Sequence, residues 1–512
     1  DVGALGAELR AAAIATLVAY DADRARAHTA AWHSTVLVRN RVPRARGGLA
    51  QLQLDVALAH VPVGPGSAGR RKDVSPGGAL PFPAQVIATE RRYARIEAPR
   101  FYPVNHEVER RQVLAWLPPL PGLGILALPL NVREPRKDAP SDVVVKGDAT
   151  SIASAIGRVT IVRSMPKWSR RGMRALRSLL AFETTADLGD TYTPSLRGKP
   201  RRASARRSHV SLRGPLRGAI DTAWRFARGR GAIEVSSRVS LDAGASFVRI
   251  SVNGTNAAND HRLRILIDTG VRPRKVLADS AFALMERKPL RVPAADRRME
   301  TPPATAPLHR FVSLFDGKSG CTVISDGLAE YEVLASGEVA VTLVRALGEL
   351  SRDDLPERPG HAGWPAATPY AQCHGPFAAE FAVAWHAGDS PATRAEIFEI
   401  MEDALLPLVG ETRRDVVTLP APSAGIALEG KGLVFSALKE SEDGKHVVAR
   451  CVNVTDVEVQ GAWILSRPAA SAQRARLDET PLGPIAPAGN RIPLTVLPFA
   501  VDTVLITPSD ER

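Results

Sequence analysis

The first residues of the chain differ in their hydrophobic pattern from everything that follows. Apolar residues recur at near-helical spacing, in an alanine-rich context, at Leu5, Leu9, Ala13, Leu17 and Tyr20. This spacing predicts a helix over residues 4–30. Such a helix carries an apolar stripe that needs a partner. Either the stripe packs on the domain that follows, or the helix is the remnant of a bundle whose other helices precede residue 1.

From residue 34 the apolar positions alternate with a period of two. The segments 34–40 (STVLVRN) and 49–58 (LAQLQLDVAL) follow this pattern, and turns rich in proline and glycine come after them. Short alternating runs between such turns are typical of strands in a β-sandwich. We therefore expect a small β domain over 34–143, and its polar end, 131–143, has the composition of a linker.

A long block of alternating segments forms the middle of the chain. Val248, Ile250 and Val252 share one face of a predicted strand, and residues 339–343 and 381–385 alternate in the same way. Many long strands in one block predict a large two-sheet sandwich over 144–410. Helical spacing of leucines also predicts a short helical insertion near 170–182.

The last hundred residues form one further β unit. Residues 411–425 have the composition of a second linker, and strands are predicted near 433–437, 446–454, 461–466 and 501–507. The predicted organisation is thus mainly all-β, with a helical segment over 1–33 and β units over 34–143, 144–410 and 411–512. No alternation of strands and helices favours a doubly wound sheet or a TIM barrel.

The net charge of +13 requires a polyanion to be considered as a partner. The densest basic run, residues 197–207, is rich in serine, glycine and proline and has no aromatic residue to stack on a base. We therefore interpret it as a solvent-exposed loop and do not expect nucleic acid as a partner. Binding of a polyanion by this run remains the alternative.

The cysteines and the hydrophobic runs bear on the compartment. Cys321, Cys373 and Cys451 lie far apart and cannot form a disulfide framework, which favours a reducing environment. No apolar run approaches the roughly 18 residues of a membrane helix, and the N-terminus lacks a signal pattern. We expect a protein of a bacterial-type cytoplasm, without membrane contact.

No motif in the chain supplies a catalytic centre. The eleven histidines show no HxH, HExxH or HxD pairing, so we expect no metal site within this chain. Nucleophile elbows and glycine-rich nucleotide loops are also missing from the sequence. A retaining glycosidase needs two carboxyl groups about 5–5.5 Å apart, and acids that are neighbours in sequence do not supply that geometry. We therefore predict no catalytic residue here.

Three mixed motifs combine acids, arginines, histidines and aromatic residues. They are residues 187–192 (DLGDTY), residues 259–264 (NDHRLR) and the long segment 327–375. Such groups suit a sugar, whose hydroxyls need hydrogen bonds and whose ring faces need an aromatic partner. A long loop ordered by its own ion pairs is an equally good interpretation.

These motifs carry a resemblance to a known family. The block from about 180 to 400 resembles the C-terminal domain of the glycoside hydrolase family 38 α-mannosidases. The similar features are the GDTY turn, the DHRLR and GLAEYEV strands, TLVRALGELSRDDL, the RPGHAG turn, and TPYAQCHG before EFAVAWH. The segments RCVNVTDV near 450 and ARLDE at 475–479, and the small β unit at 34–130, also resemble the family.

The resemblance implies a fold and a division of labour. The middle block should be a galactose-mutarotase-like super-sandwich flanked by smaller sandwich units. Members of the family place the zinc ligands and the nucleophile mainly in an N-terminal barrel that has no counterpart in this sequence. This chain alone should then be inactive, hold no cofactor, and need a missing catalytic domain or a partner chain, with zinc implied only for the intact enzyme.

The resemblance also implies residues that contact an α-mannoside. By motif match, the aromatic residue of the GDTY turn is Tyr192 and the arginine of TLVR is Arg345, with Asp190 in the same turn and Arg352 as the alternative arginine. The strand should end or bulge at Arg345, because regular alternation would bury its guanidinium beside Val341.

Three functions follow, in order of preference. The first is the sugar-facing C-terminal region of a retaining α-mannosidase that hydrolyses α-mannosides or oligosaccharides. The second is a stand-alone, non-catalytic carbohydrate-binding or scaffold protein. The third is a basic protein that binds a polyanion. Self-association into a homo-oligomer is a further expectation, because the opening helix has an apolar stripe.

Overall fold

The fold is known from a computed structural model that describes most of the chain. The described residues are 2–18, 20, 34–61, 72–73, 82–98, 101–130, 143–171, 176, 178–226, 233–288, 300–328, 330–414 and 425–509. The second half of the helix expected over 4–30 and nearly all of the linker expected over 131–143 lie outside these ranges. No helix among the described residues has both the length and the apolar character required to cross a membrane.

The described elements are two helices, a 3₁₀ turn and a long series of strands. The helices are α1 Val2–Leu17 and α2 Pro391–Leu405, and the 3₁₀ turn is Pro369–Gln372. The first half of the strands is β1 Ser34–Arg39, β2 Arg46–Val61, β3 Lys72–Asp73, β4 Ala84–Ala98, β5 Phe101–Leu120, β6 Ile125–Pro129, β7 Lys146–Gly147, β8 Ser151–Ser154, β9 Gly157–Val162, β10 Met165–Ser169, β11 Leu180–Asp187, β12 Leu196–Arg202, β13 Ser204–Arg213, β14 Arg217–Arg225, β15 Ile233–Asp242, β16 Phe247–Asn256, β17 His261–Asp268 and β18 Lys275–Ser280. The second half is β19 Ala283–Glu286, β20 Ala306–Pro307, β21 Phe311–Phe315, β22 Ser319–Ser325, β23 Glu330–Val333, β24 Glu338–Ala346, β25 Asp354–Leu355, β26 Arg358–Pro359, β27 Gly375–Ala387, β28 Leu408–Arg414, β29 Ala427–Glu429, β30 Leu433–Glu440, β31 Val447–Asn453, β32 Val459–Ile464, β33 Ala469–Ala475, β34 Pro481–Ile485, β35 Arg491–Val496 and β36 Val501–Pro508.

The opening helix packs on the first β unit through its C-terminal end. Ile14 and Val18 are buried against Leu37 and Ile125. Three leucines of the same helix stay exposed, with 57–64% of their surface in contact with solvent: Leu5, Leu9 and Leu17. The predicted helix is thus confirmed up to Leu17, while Val18 and Tyr20 lie beyond its end. Most of its apolar stripe is left uncovered by the described residues.

A strand from the far end of the chain completes the first sheet. The order is β4-β5-β2-β28-β1-β6, with β28 antiparallel to β1 and parallel to β2. The boundary expected between residues 410 and 411 therefore falls inside a strand, and residues 411–414 are not a linker. The local sequence GETRR does not alternate, so only its two neighbours make it a strand. A Cβ at Gly410 would lie 2.6 Å from a methyl of Leu52, so glycine permits this close pairing.

The middle of the chain forms the large sandwich that the sequence predicts. One sheet has the order β12-β11-β17-β24-β23-β20, and the other β13-β14-β15-β16-β27-β22-β21-β18-β19. The predicted inward faces are confirmed, since Ile250, Val341 and Phe381 share one buried core. Trp168, on a small four-stranded sheet (β7–β10), stacks on Trp385 with ring centroids 5.0 Å apart. These contacts join the small sheet to the sandwich.

The helical insertion expected near 170–182 is wrong where the structure describes it. Leu180 begins β11, and Leu179 and Phe182 are completely buried in the sandwich core. A short apolar run reads equally well as a buried strand or a helix, and here pairing of β11 with β17 decides for the strand.

The sequence analysis missed α2, which fills the space between two domains. Ser390 caps this helix by accepting a hydrogen bond from the Thr393 amide at 3.1 Å. Phe398 and Met401 pack against the outer face of the nine-stranded sheet and against Val452 of the C-terminal unit. The sequence does contain a signal for this helix. A serine before a proline, followed by apolar residues at helical spacing, marks a helix start.

The C-terminal unit is a second, smaller sandwich. Its sheets have the orders β29-β32-β35 and β30-β31-β36-β33-β34, and Cys451, Trp463 and Val504 lie in the core between them. The four predicted strands are found in β30, β31, β32 and β36. The sequence analysis missed β29, β33, β34 and β35. In β33, the segment AASAQRA carries too few large apolar residues to alternate visibly.

The packing of α2 gives a testable expectation. Phe398 is 2% exposed and makes an edge-to-face contact with Phe311 at 5.1 Å. Phe398→Ala should lower the free energy of unfolding by roughly 3–5 kcal/mol, because it removes buried apolar contacts and leaves a cavity. Glu396→Ala, at an exposed position of the same helix, is the control and should change it by less than about 0.5 kcal/mol. Equal urea midpoints for the two variants would contradict the packing described.

Candidate functional site

Two buried carboxylates organise the turn that follows β11. Asp187 is fully buried, and its Oδ1 accepts hydrogen bonds from the amides of Gly189 and Ser195 at 3.0 and 2.9 Å. Its Oδ2 accepts a hydrogen bond from Arg345 Nε at 2.8 Å. A carboxylate that accepts from the backbone two residues further on closes a tight turn, and here it also fixes an arginine from β24.

Asp190 is the second buried carboxylate of this turn. Its Oδ1 accepts from the amides of Tyr192 and Thr193, and its Oδ2 accepts from Arg358 Nη2 at 2.7 Å and the Arg352 amide at 2.8 Å. Burial acts to raise the pKa of Asp190, but the hydrogen bonds, above all from Arg358, outweigh it and lower the pKa to about 2. Asp190 thus has a structural role, because both of its carboxylate oxygens already accept hydrogen bonds.

Arg358 is the functional neighbour that sequence reasoning did not name. Its side chain is 7% exposed, and it donates to Thr193 Oγ1 and to the carbonyl of Arg352, both at 2.7 Å. The RPGHAG motif that contains it was noticed, but only proximity in space reveals its role. It ties the turn after β11 to the loop that connects β24 and β27.

Arg345 lies where the strand becomes irregular, as predicted. Leu263 pairs with Val344 and Arg264 with Thr342, so β24 bulges at the intervening residue, and it ends at Ala346. The side chain of Arg345 is 20% exposed and also donates to the carbonyl of Asp190 from Nη2 at 2.8 Å. Its third nitrogen, Nη1, has no acceptor among the described residues.

Tyr192 is the exposed member of the turn. About half of its surface, 54%, is open to solvent, and its phenol ring lies against Gly363. A Cβ at position 363 would collide with the ring, so a larger residue there would displace the Tyr192 side chain. The structure therefore brings Tyr192 and Arg345 to the same turn. Arg352, in contrast, directs its side chain into an exposed ion pair with Asp354.

The loop between β24 and β27 carries two further exposed aromatic residues that the sequence analysis did not single out. Trp364 is 79% exposed and Tyr370 97% exposed. Large aromatic side chains in this state are unusual on a soluble protein and often mark a binding site. We call Tyr192, Trp364 and Tyr370 together the aromatic surface.

Hydrogen bonds order this loop although it is long. Ser351 Oγ accepts from the amides of Ala362 and Gly363, at 3.0 and 3.1 Å. Further backbone bonds cross the loop from Leu350 N to Ala366 O, from Thr368 N to Gly348 O and from Leu347 N to Ala371 O. The backbone that carries Trp364 and Tyr370 is therefore ordered before any ligand arrives, which reduces the entropic cost of binding.

A groove of about 1590 Å³ lies at the same end of the large sandwich. Its cationic lining residues are Arg197, Lys199, Arg201, Arg206 and Arg225, and we call it the basic groove. The basic run 197–207, which we interpreted as a loop, forms β12 and β13, which pass from one sheet to the other. Pairing with β11 and β14 explains why so polar a segment is extended.

A buried histidine lies at the inner end of the groove. His261 Nδ1 and Nε2 lie 3.0 Å from Thr184 Oγ1 and from Asn256 Oδ1, respectively. Burial, with the nearby charge of Arg201, lowers the pKa of His261 to about 4. The imidazole is therefore neutral at neutral pH and adds hydrogen bonds, not charge, to the groove.

Comparison with known proteins supports the family resemblance. The model of the "Glycosyl hydrolases family 38 C-terminal domain" matches residues 167–354, and the model of the family's "C-terminal beta sandwich domain" matches residues 432–504. Together the two models span about half of the chain.

The chain belongs to glycoside hydrolase family 38.

Similar proteins and structures agree with this assignment. A protein of Halalkalibacterium halodurans named "Putative mannosylglycerate hydrolase" is 32% identical over 221 residues, which is 43% of this chain and 23% of the relative. The crystal structure of an α-mannosidase from Enterococcus faecalis V583 superposes with a TM-score of 0.75 at 18% identity, over 93% of this chain and 56% of that one. A family 38 protein from Enterococcus faecalis gives 0.71 at 18% identity, with 93% and 58% covered. The chain thus spans less than two thirds of the length of each of these relatives.

The described residues of this family 38 chain do not fit a zinc site. No three histidine, cysteine, aspartate or glutamate side chains come together as metal ligands within the described ranges. The two buried acids of the turn that carries Tyr192, Asp187 and Asp190, already accept hydrogen bonds from arginine and backbone groups, and a metal would have to displace these partners. We therefore derive no catalytic step from zinc in this part of the structure.

The ion pair of Asp190 predicts a defined pH dependence. Asp190→Asn leaves Arg358 buried without its counter-charge and should destabilise the fold by roughly 3–5 kcal/mol near neutral pH. The pKa of Asp190 is lowered from 3.8 to about 2. Its stabilising contribution is therefore complete above pH 4 and is lost as the pH falls towards 2.

Thermal unfolding midpoints of the wild type and the variant, measured from pH 7 to pH 2, test this expectation. The difference between them should be constant above about pH 4 and should shrink below it. Asp354→Asn, which removes the exposed partner of Arg352, is the control and should have little effect at any pH. A difference that grows on acidification would contradict the ion pair.

Proposed function

We propose that this chain is the sugar-facing C-terminal region of a retaining family 38 α-mannosidase, which hydrolyses α-mannosides or oligosaccharides. The observation that carries the proposal is Tyr192, an exposed ring held beside Arg345 by two buried ion pairs. The zinc-bearing catalytic barrel and the nucleophile are contributed from outside this chain, by a further segment of the protein or by a partner chain. The two matching family models, which describe C-terminal domains, and the greater length of the relatives support this division.

Tyr192 and Arg345 have complementary roles in this proposal. The ring of Tyr192 offers an apolar face to a pyranose, and its hydroxyl offers one hydrogen bond. Arg345 is oriented by Asp187 and by the Asp190 carbonyl, so Nη1 is the nitrogen left for a sugar hydroxyl. Arg352 is the weaker candidate because Asp354 already occupies its guanidinium. Asp190 positions the turn and does not contact the sugar.

Trp364 and Tyr370 extend this surface beyond one sugar ring. Trp364 directly follows Gly363, the residue under the Tyr192 ring, and Tyr370 lies on the same ordered loop. Additional aromatic faces suit an oligosaccharide or the group to which the mannose is attached. The same exposed residues would equally serve a stand-alone carbohydrate-binding protein without catalysis, which is the second candidate function.

The exposed apolar residues of α1 indicate that another protein segment covers this helix. Leu5, Leu9 and Leu17 are more than half exposed on one short helix. We propose that helices of the catalytic part, or a second copy of this chain, cover them. The proposed partners are therefore an α-mannoside and a catalytic domain, with a homo-oligomer as the alternative.

The role of Tyr192 can be measured directly in the purified chain. Titration with methyl α-mannoside, followed by NMR, should show weak binding that Tyr192→Ala weakens by roughly 5–150-fold, equivalent to 1–3 kcal/mol for a lost ring contact and hydrogen bond. Tyr192→Phe should lie between the two, because it keeps the ring. Tyr93→Ala removes a tyrosine that is 72% exposed in the first β unit and serves as the control. Equal affinities for the Tyr192→Ala and Tyr93→Ala variants would exclude Tyr192 as a sugar contact.

The division of labour predicts the activity of the chain alone. An aryl α-mannoside should not be turned over above the buffer rate, with or without added zinc, because no metal site forms among the described residues. Adding the catalytic barrel should give turnover if the chain is part of a hydrolase, and none if it is a stand-alone binding protein. Turnover by the purified chain that depends on zinc and stops with a chelator would refute the proposed division.

A further inference from the structure

The basic groove combines positive charge with groups that suit a sugar. Among the described residues, five cationic side chains line it, against two acids, Glu234 and Asp260. Arg197 is paired with Glu357 at 3.0 Å. Lys199, Arg206 and Arg225 are exposed, and their side chains form no hydrogen bond or ion pair with any part of the chain that the structure describes. Exposed cations grouped in a concave surface attract an anionic ligand.

The uncharged residues that line the groove indicate which class of anionic ligand it fits. Asn253, Asn259, Ser236 and Thr255 supply amide and hydroxyl groups, which pair with sugar hydroxyls. Trp224 is only 5% exposed, and its Nε1 donates to Ser237 Oγ at 2.8 Å. Trp224 therefore cannot stack on a nucleic-acid base, as aromatic residues do in single-stranded nucleic-acid sites. Phe226, the other aromatic residue of the lining, packs against the core of the large sandwich. An acidic carbohydrate fits this lining better than a nucleic acid.

The groove is joined to the loop of the aromatic surface. The amide of Asp260 donates to Gln372 Oε1 at 2.9 Å, and Gln372 Nε2 donates to Asp260 Oδ1 at 2.8 Å. His374 Nε2 lies 2.6 Å from Asn259 Oδ1, and both residues line the groove. Tyr370 thus lies only four residues from the groove along an ordered segment, so one ligand could contact both surfaces.

We infer that the basic groove binds the negatively charged group, a carboxylate or a phosphate, of an acidic α-mannoside or oligosaccharide whose neutral part lies on the aromatic surface. This inference rests on the function proposed above. Lys199, Arg206 and Arg225 pair with the anionic oxygens, as arginine and lysine do with carboxylates and phosphates. They set the preference for a charged substrate over a neutral one.

The test compares charged and neutral sugars on the full 512-residue chain. The probes are mannose 6-phosphate, mannuronic acid, methyl α-mannoside, inorganic phosphate and a single-stranded DNA 20-mer, titrated at low salt. The groove variant is Lys199→Gln/Arg206→Gln/Arg225→Gln. The matched control is Lys318→Gln/Arg467→Gln/Arg476→Gln, which removes three exposed cations outside the groove. Circular dichroism should show that both variants fold, since all six side chains are exposed.

The inference predicts that at least one acidic sugar binds about tenfold or more tightly than methyl α-mannoside. The groove variant should abolish this preference, the control should keep it, and neither should alter the affinity for methyl α-mannoside. Comparison of mannose 6-phosphate with mannuronic acid shows whether the groove prefers a phosphate or a carboxylate. Inorganic phosphate should bind more weakly than the acidic sugar that binds best.

Three results would overturn the inference. The first is an acidic sugar that binds no more tightly than the neutral one. The second is a preference for acidic sugars that survives in the groove variant. The third is DNA that binds more tightly than every sugar through the same three residues. In the first two cases the proposed function would still hold, provided that methyl α-mannoside binds at Tyr192. Loss of neutral binding in the wild type would count against the proposed function itself.

Discussion

The candidate site depends on two carboxylates that are buried without any contact with solvent. A buried charge is costly unless an opposite charge and hydrogen bonds compensate it. Asp187 therefore requires Arg345 and Asp190 requires Arg358. Arg345 comes from the end of β24, and Arg358 comes from β26 within the long connection between β24 and β27. Satisfying both charges fixes the end of β11, the end of β24 and the loop in a single arrangement. The exposed ring of Tyr192 is held on the outside of this arrangement.

The same constraint explains why the loop can present aromatic residues without burying them. Ser351 and the backbone bonds around Leu350 hold the segment that carries Trp364 at a fixed distance from the turn. A loop ordered by its own ion pairs was one of the two interpretations of segment 327–375, and a sugar-binding segment was the other. The structure shows that these are compatible, because internal hydrogen bonds order the loop and leave its aromatic side chains free for a ligand.

The sequence predicted what alternation and motifs encode, and missed what depends on partners far along the chain. The faces of β16 and β24 follow from alternation, and the bulge near Arg345 follows from the cost of burying its charge. The strand β28 could not be predicted, because GETRR becomes extended only between β1 and β2. The basic run 197–207 was interpreted as a loop for the same reason. Arg358 and Gly363 became meaningful only when the fold placed them against Asp190 and Tyr192.

Hydrogen bonds between Asp260 and Gln372 join the basic groove to the loop that carries Trp364 and Tyr370, so charge and exposed ring faces lie at the same end of the sandwich. The central claim is that sugar binds at the turn which the buried ion pairs hold in place. The most direct measurement is mapping of amide chemical-shift changes in the isotopically labelled chain during titration with methyl α-mannoside. The account predicts the largest changes at Tyr192, Gly363 and Trp364. Changes confined to the C-terminal unit, residues 425–509, would contradict it.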